Sequence, residues 1–345
     1  MDTAPDKRQL PTLADVARHA NVSTATVSRC LNSPDQVIEK TRERVLKAVR
    51  ELGYAPNFGA RALAAKQTNT FGVVIPTMDN AVFARGVQAF QEELGRHGKT
   101  LLIASSSYQT ELEEEQIHAL VARGADALLL IGYDRNPDLY EFLDKRGVPA
   151  LIAWSYDPAQ QRPAIGFDNK LAMAALTRLA IEKGHRNIAC ISAPMADNDR
   201  ARSRVAGIRL AMREARLEHE QLTLVETPYS IENGESALRQ ILAEAPGTSA
   251  VMCVNDVLAI GALRAAREIG LRVPQELSIT GFDDLEIARL SDPALTTVHV
   301  PHREMGRRAA GMLIQMLNDA RHAPPSVALP TDISLRGTLG SAPKM

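Results

Sequence analysis

The 345-residue chain is poor in the residues that carry covalent and cofactor chemistry. It has three cysteines, one tryptophan and 4% aromatic residues. Cys30, Cys190 and Cys253 lie far apart in apolar settings. They form neither a metal-ligand spacing nor a disulfide framework, which points to a reducing compartment. No apolar run approaches the ~18 residues of a membrane span, so a membrane is not an expected partner. The N-terminus, MDTAPDKRQLP, lacks the apolar segment of a secretory signal. A cytoplasmic protein is therefore expected. Neither half shows GxGxxG after its first strand, and GxxxxGKS/T, GxSxG and HExxH are absent throughout. Dinucleotide, P-loop, hydrolase and zincin chemistry have no support. Asp283 and Asp284 are adjacent carboxylates, but no His or Cys partners them in sequence context. No cofactor, no metal and no enzymatic activity are expected.

What is present starts near the N-terminus. In TLADVARHANVSTATVSRCLN (12–32), Leu13, Val16, Ala17 and Ala20 share one helical face. Thr12 can cap that helix, with Asp15 completing a capping box. After Asn21 and Val22, Ser23 can cap a second helix with Val27, Cys30 and Leu31 on one stripe. Two short helices across a tight turn fit a helix-turn-helix as well as an ordinary helical hairpin. Charge favours the former. No Asp or Glu occurs between Asp15 and Asp35. Residues 1–66 carry 11 Lys and Arg against 7 Asp and Glu, whereas the remainder carries 29 against 34. A basic head on an acidic body suits a nucleic-acid-binding module joined to something else. Thr41 can cap a third helix bearing Val45, Val49 and Leu52, which Gly53 ends. The next segment, YAPNFGARALAAKQTNT, holds a helix-favouring stretch shorter than the ~12 residues stable alone. It reads as a linker that orders on binding, or as a plain flexible linker.

From Phe71 the rhythm becomes strand, helix, strand: FGVVIP, LLIAS, ALLLIG and PALIAW with helices between them. After AIGFDN (164–169) it repeats with NIACIS, a strand near 222–225, AVMCV and LSITGF. Two consecutive doubly wound halves with parallel sheets are expected. Ligands of such sheets sit beyond the carboxyl ends of the strands. There the chain places Asp79-Asn80, Ser105 to Ser107, Tyr133-Asp134, Trp154-Ser155, Asp168-Asn169, Asn255-Asp256 and Asp283-Asp284. This set of hydrogen-bonding groups suits a polyhydroxylated small molecule, although each carboxylate alone is more often a helix cap than a ligand group. Trp154 suits a stacking wall for a sugar ring or a lobe-interface aromatic.

The head segment, followed by TRERVLKAVRELGYAPNFGARAL, resembles lactose-repressor-type (LacI/GalR) transcription regulators. The resemblance continues through FGVVIP, GFDN (166–169), RSRVAGI (202–208), VNDVLAIGAL (254–263), SITGFDD (278–284) and LRGT (335–338). It covers nearly the whole chain, and its gluconate-repressor-like branch is the most similar. The resemblance implies an α/β protein with a three-helix helix-turn-helix head (11–55), a hinge helix (56–69) and a two-lobed, periplasmic-binding-protein-like, doubly wound body (70–340). The lobes would be about 70–163 plus 296–327, and about 164–295 plus 328–340.

Carried over by position, Thr24, Ala25, Thr26, Ser28 and Arg29 are DNA-contacting residues of the second helix. Arg29 is the candidate for a guanine contact. Leu63 matches a hinge leucine that wedges into the minor groove. Tyr54, Asn57 and Arg61 match backbone-positioning contacts. Phe83, Trp154, Arg204, Asn255 and Asp283 match effector-pocket positions. Arg202, in a run with Arg200 and Arg204 at a helix start, suits an anionic effector. Asn21 replaces a turn glycine and tolerates the left-handed conformation. Ala81-Val82 departs from the family's usual pocket wall. No leucine heptads follow LRGT, so a homodimer is expected. The implied function is a repressor binding a palindromic double-stranded operator under control of a sugar or gluconate-like sugar acid. The alternatives are a sugar-binding α/β protein or a sugar-modifying enzyme with an accessory DNA-binding head.

Overall fold

A computed structural model describes residues 10–32, 34–55, 67–79, 81–217, 222–319 and 324–343. The chain divides into two compact units, residues 1–68 and 69–345.

The first unit holds α1 (Leu13–His19), α2 (Thr24–Asn32) and α3 (Glu39–Leu52). The capping box forms: Thr12 Oγ1 accepts from Asp15 N–H at 3.3 Å, and Thr12 N–H donates to Asp15 Oδ2 at 2.9 Å. Asn21 takes φ 50°, the left-handed turn expected of it. Ser23 Oγ accepts from Thr26 N–H at 3.1 Å and starts α2. Helix α3 starts at Glu39, two residues before the expected Thr41 cap. Its entry uses the Ile38 carbonyl, which accepts from Thr41 and Arg42 N–H, after a tight turn at Pro34–Gln36. Gly53 closes α3 at φ 64°, where any side chain would be strained. Val16, Ala17, Ala20, Val27, Cys30, Val45 and Ala48 form a small separate core.

In the second unit, β1 (Thr70–Ile75), β2 (Thr100–Ser105), β3 (Ala127–Ile131), β4 (Ala150–Ala153), β5 (Ala164–Gly166) and β11 (Val327–Ala328) make one sheet. Its order is β11-β5-β4-β3-β1-β2, parallel throughout. Helices α4 (Ala84–Arg96), α5 (Thr110–Ala122) and α6 (Pro137–Arg146) connect its strands. The other sheet, β12-β10-β9-β8-β6-β7, holds β6 (Ile188–Ser192), β7 (Thr223–Glu226), β8 (Ala250–Cys253), β9 (Ser278–Asp283), β10 (Thr296–His299) and β12 (Asp332–Ser334). Only β12 runs antiparallel there. Its helices are α7 (Asn169–Glu182), α8 (Asp199–Glu214), α9 (Ile231–Glu244), α10 (Asp256–Glu268) and the short α11 (Glu286–Leu290). The long α12 (His302–Asn318) returns to pack along α4. At their crossing, a Cβ on Gly306 would meet the Gly86 carbonyl oxygen at 1.9 Å, so only glycine permits this approach.

The lobe boundaries expected at 164 and 296 shift by one strand each. Ala164–Gly166 extends the first sheet because its apolar run pairs with β4 and is pinned by Ser326 Oγ, which accepts from Ala164 N–H. Thr296–His299 belongs to the second sheet, in register with Thr280–Asp283. The three crossings therefore fall near 167–168, 300–301 and 329–331, and Ala328 stays with the first lobe. All three cysteines are free and buried, and burial raises the thiols of Cys190 and Cys253. Among the described residues no helix is long and apolar enough to cross a membrane.

Candidate DNA-reading helix and effector cleft

On α2, Val27 and Cys30 turn into the head core, leaving Thr24, Ala25 and Arg29 exposed on the other side. Thr26 and Ser28 are half-buried. The Thr26 hydroxyl is shared with Ser23 Oγ at 2.9 Å, so it also stabilises the helix start. Tyr54 packs against the head core. Asn57, Arg61 and Leu63 lie outside the described residues.

The body has a cavity between its lobes, at the carboxyl ends of the strands. Val82, Phe83, Tyr108 and Trp154 come from the first lobe, and Arg200, Arg204, Tyr229, Asn255 and Asp283 from the second. Five of the six effector positions expected from sequence meet here. Its free space is about 20 Å³, room for about one water. Side chains of the two lobes meet closely around it.

Each wall has a local cause. Asn255 caps α10, its Oδ1 accepting from Leu258 N–H at 2.9 Å, which fixes it at the end of β8. Asp283 ends β9 at φ 105° and is followed by Asp284 at φ 52°, so the chain turns sharply where the two carboxylates diverge. Trp154 ends the β4 segment at φ 59°, a conformation rare for a bulky residue and typical of functional sites. Its ring is buried and meets Phe83 edge-on at 5.4 Å.

Arg204 is buried and committed on several sides. Its Nε–H donates to Asn169 Oδ1 at 2.8 Å, Nη1 to the Val254 carbonyl at 2.6 Å, and Nη2 to Asp283 Oδ1 at 3.3 Å. Asp283 Oδ2 is buried and has no hydrogen-bond partner. Burial raises the Asp283 carboxyl to about 6, against the pull of Arg204 and Arg200. A buried acceptor left open in a cavity is what a hydroxyl or N–H donor would satisfy.

Arg202 departs from expectation. It lies off the cavity, pairing through Nη2 with both oxygens of Asp134 at 2.5 and 2.6 Å and reaching the Met195 carbonyl. The reason is helical phase: residues 200 and 204 are one turn apart, and 202 is half a turn away. Arg200 takes its place, donating to the Ile131 carbonyl and to Asp199 Oδ1. Tyr108 and Tyr229, whose rings lie 5.5 Å apart across the cleft, are the residues that sequence reasoning missed. Each follows the end of a strand, β2 and β7, which is the signal that could have found them.

The remaining acidic groups are structural. Asp168 caps α7. Asp256 is buried, accepting from Thr297 Oγ1 at 2.5 Å and Leu285 N–H at 2.7 Å, and burial keeps its carboxyl well above the ordinary range. Burial would raise Asp284 too, but Arg336, His299 and Arg289 hold it down to about 2. Among the described residues no cluster of His, Cys, Asp and Glu could hold a metal ion.

A three-helix head with an exposed second helix, together with a two-lobed body holding a polar cleft, is the architecture of a ligand-gated DNA-binding regulator. Residues 12–57 match the bacterial regulatory proteins of the lacI family, and residues 177–339 match a periplasmic binding protein-like domain. The chain is 33% identical over 337 residues to the HTH-type transcriptional repressor PurR of Escherichia fergusonii, covering 97% of this chain and 98% of that protein. A LacI family regulator from Silicibacter pomeroyi superposes with a TM-score of 0.87 at 26% identity, covering 96% of this chain and 99% of that one. The lac repressor dimer bound to operator and the anti-inducer ONPF superposes at 0.84 and 28% identity, covering 96% and 100%. The chain belongs to the lacI family of bacterial regulatory proteins. It is a DNA-binding, effector-regulated transcriptional repressor, and its relatives are regulators rather than enzymes.

Proposed function

We propose that the chain acts as a homodimer on a palindromic operator, released or engaged by a sugar or a gluconate-type sugar acid bound between its lobes. Thr24, Ala25, Thr26, Ser28 and Arg29 read the major groove. Tyr54, Asn57 and Arg61 position the backbone, and Leu63 enters the minor groove. The lac repressor, solved as a dimer bound to operator and to an anti-inducer, supports the dimer-on-operator part of this reading.

The observation that carries the effector reading is the unpartnered Oδ2 of Asp283 in the cleft. Polyols present donors to such an oxygen, and the Phe83 and Trp154 rings offer apolar faces to sugar C–H groups. Arg200 and Arg204 line the same cavity paired with Asp199 and Asp283, and an effector carboxylate would compete with those two for the guanidinium donors. The effector acts by changing the balance between closed and open lobes, and so the spacing of the two heads. The coupling equals its preference for one state.

Thermal-shift screening of the full chain against sugar acids, neutral sugars and sugar phosphates tests the effector class. Stabilisation by D-gluconate or a related acid supports the reading. A clear shift from neutral sugars with none from any acid overturns the acidic part. Footprinting on the chain's own upstream DNA, with and without the stabilising compound, tests the operator.

A further inference from the structure

Trp154 and Asp283 stand on opposite lobes, and two hydrogen-bonded arms join them. One arm runs from the Trp154 carbonyl, which accepts from Asn169 Nδ2 at 3.0 Å, through Asn169 Oδ1 to Arg204 and on to the Asp283 carboxylate. The other is a single side chain. Trp154 Nε1–H donates to His302 Nδ1 at 3.1 Å, and His302 Nε2 lies 3.2 Å from the Asp283 carbonyl oxygen. The five residues close a ring that spans the cleft.

The geometry fixes the imidazole. Indole N–H is only a donor, so His302 Nδ1 accepts; the Asp283 carbonyl is only an acceptor, so Nε2 carries the proton. Both ring nitrogens are then used by the neutral form, and protonation would put a second donor against the indole N–H. Burial pushes His302 down to about 4, with Arg204, Arg85 and His299 acting in the same direction against the Asp283 carbonyl. The ring therefore remains neutral at neutral pH.

His302 is the first residue of α12, immediately past the crossing at 300–301, and it is buried. Its backbone carbonyl lies 3.2 Å from where a Gly86 Cβ would stand, beside the Trp154 ring. A side chain there bonds an atom of each lobe, Trp154 Nε1 on one and the Asp283 carbonyl oxygen on the other.

We propose that His302 is a positioning residue of the effector cleft: its neutral, Nε2-protonated imidazole locks the Trp154 wall and the Asp283 acceptor together in the closed state. This rests on the cleft being the effector site, but its test uses no effector, so the two ideas fail separately.

The chain has one tryptophan, so its fluorescence reports on the ring directly. The full chain is compared as wild type, His302→Leu and His302→Gln by emission maximum and acrylamide quenching, with circular dichroism as the fold control. Loss of a buried bond at each end shifts the closed-to-open balance by about tenfold. Accordingly, His302→Leu is expected to shift emission to the red and to make quenching measurably more efficient than in the wild type. Glutamine offers one acceptor and one donor, and is expected to restore most of the wild-type signal. A folded leucine variant with wild-type emission and quenching, or a glutamine variant no better than leucine, overturns the proposal.

A leucine variant that fails to fold leaves a second measurement. ¹⁵N imidazole spectra of the wild type are expected to show an unprotonated Nδ1 and protonated Nε2 for His302 at every point from about pH 5.5 to 8. The opposite tautomer, or titration near the ordinary 6.5, overturns it.

Discussion

The guanidinium of Arg204 lies over the Phe282 ring, 3.7 Å from its centroid, while its nitrogens reach Asn169, Val254 and Asp283. Planarity makes this possible: one face stacks while the edge donates in three directions. Lysine has the charge without the plane. We therefore expect Arg204→Lys to fold but to lose stabilisation by whichever small molecule shifts the wild type. Arg204→Ala leaves Asp283 as a buried carboxylate without its cation and is expected to cost about 3 kcal/mol in urea unfolding. Equal ligand-induced thermal shifts in Arg204→Lys and wild type would remove Arg204 from the binding machinery.

The α4–α12 crossing depends on missing side chains. Gly306→Ala puts a methyl 1.9 Å from the Gly86 carbonyl oxygen, so α12 must back away. The expected cost is about 2 kcal/mol. Gly311, on the same helix, has nothing within 4 Å of its would-be Cβ. Gly311→Ala is expected to stabilise by about 0.5–1 kcal/mol through helix propensity alone. Urea midpoints of the two variants should move in opposite directions, and a common sign would mean that the crossing is looser than it looks.

The pair Asp283 and Asp284 shows why the site was only partly legible in the sequence. The strand rhythm located both carboxylates at the end of β9, and the family resemblance singled out Asp283. Periodicity carries no information on which way consecutive side chains turn after a strand ends. Asp283 faces the cleft, whereas Asp284 joins Arg336, His299 and Ser334. Arg202 differs for the opposite reason: helical phase is readable there, and half a turn separates it from the cavity residues Arg200 and Arg204. Tyr108 and Tyr229 meet only because two loops from different lobes converge, a long-range fact no local pattern encodes. The lobe boundaries fall one strand away from the sequence expectation because AIG and TTVH are only three and four residues long, and their sheet is decided by long-range pairing with β4 and β9. The α12 helix, whose His302 touches both walls, sits in a segment the strand rhythm did not reach.

Asp284 makes a prediction of its own. Its carboxyl is held at about 2 in the folded chain, against 3.8 ordinarily. A carboxylate so depressed stabilises the fold fully above about pH 4 and loses that contribution as pH falls through 2. Asp284→Asn is expected to lower stability by about 2–3 kcal/mol at pH 7, because Arg336 and Arg289 lose their anion. The gap between wild type and variant, measured by urea unfolding, should narrow below about pH 4. A gap that persists undiminished into acid would assign the effect to packing.

Arg29 is where DNA specificity should concentrate. Thr24 and Ala25 are exposed at the start of α2, and between them they offer two methyl groups and one hydroxyl. Such groups distinguish a thymine methyl but cannot make a bidentate contact. Arg29, exposed on the same helix, carries the fork that matches guanine O6 and N7. On duplexes selected from a random pool by the wild type, Arg29→Ala is expected to bind about tenfold more weakly and to tolerate replacement of one base pair per half-site. Thr24→Ala should cost several-fold less. The salt dependence separates the roles. A base-reading arginine relaxes sequence preference with little change in slope, whereas a phosphate contact weakens all duplexes alike and lowers the slope by about one. Uniform weakening across sequences would therefore move specificity away from Arg29.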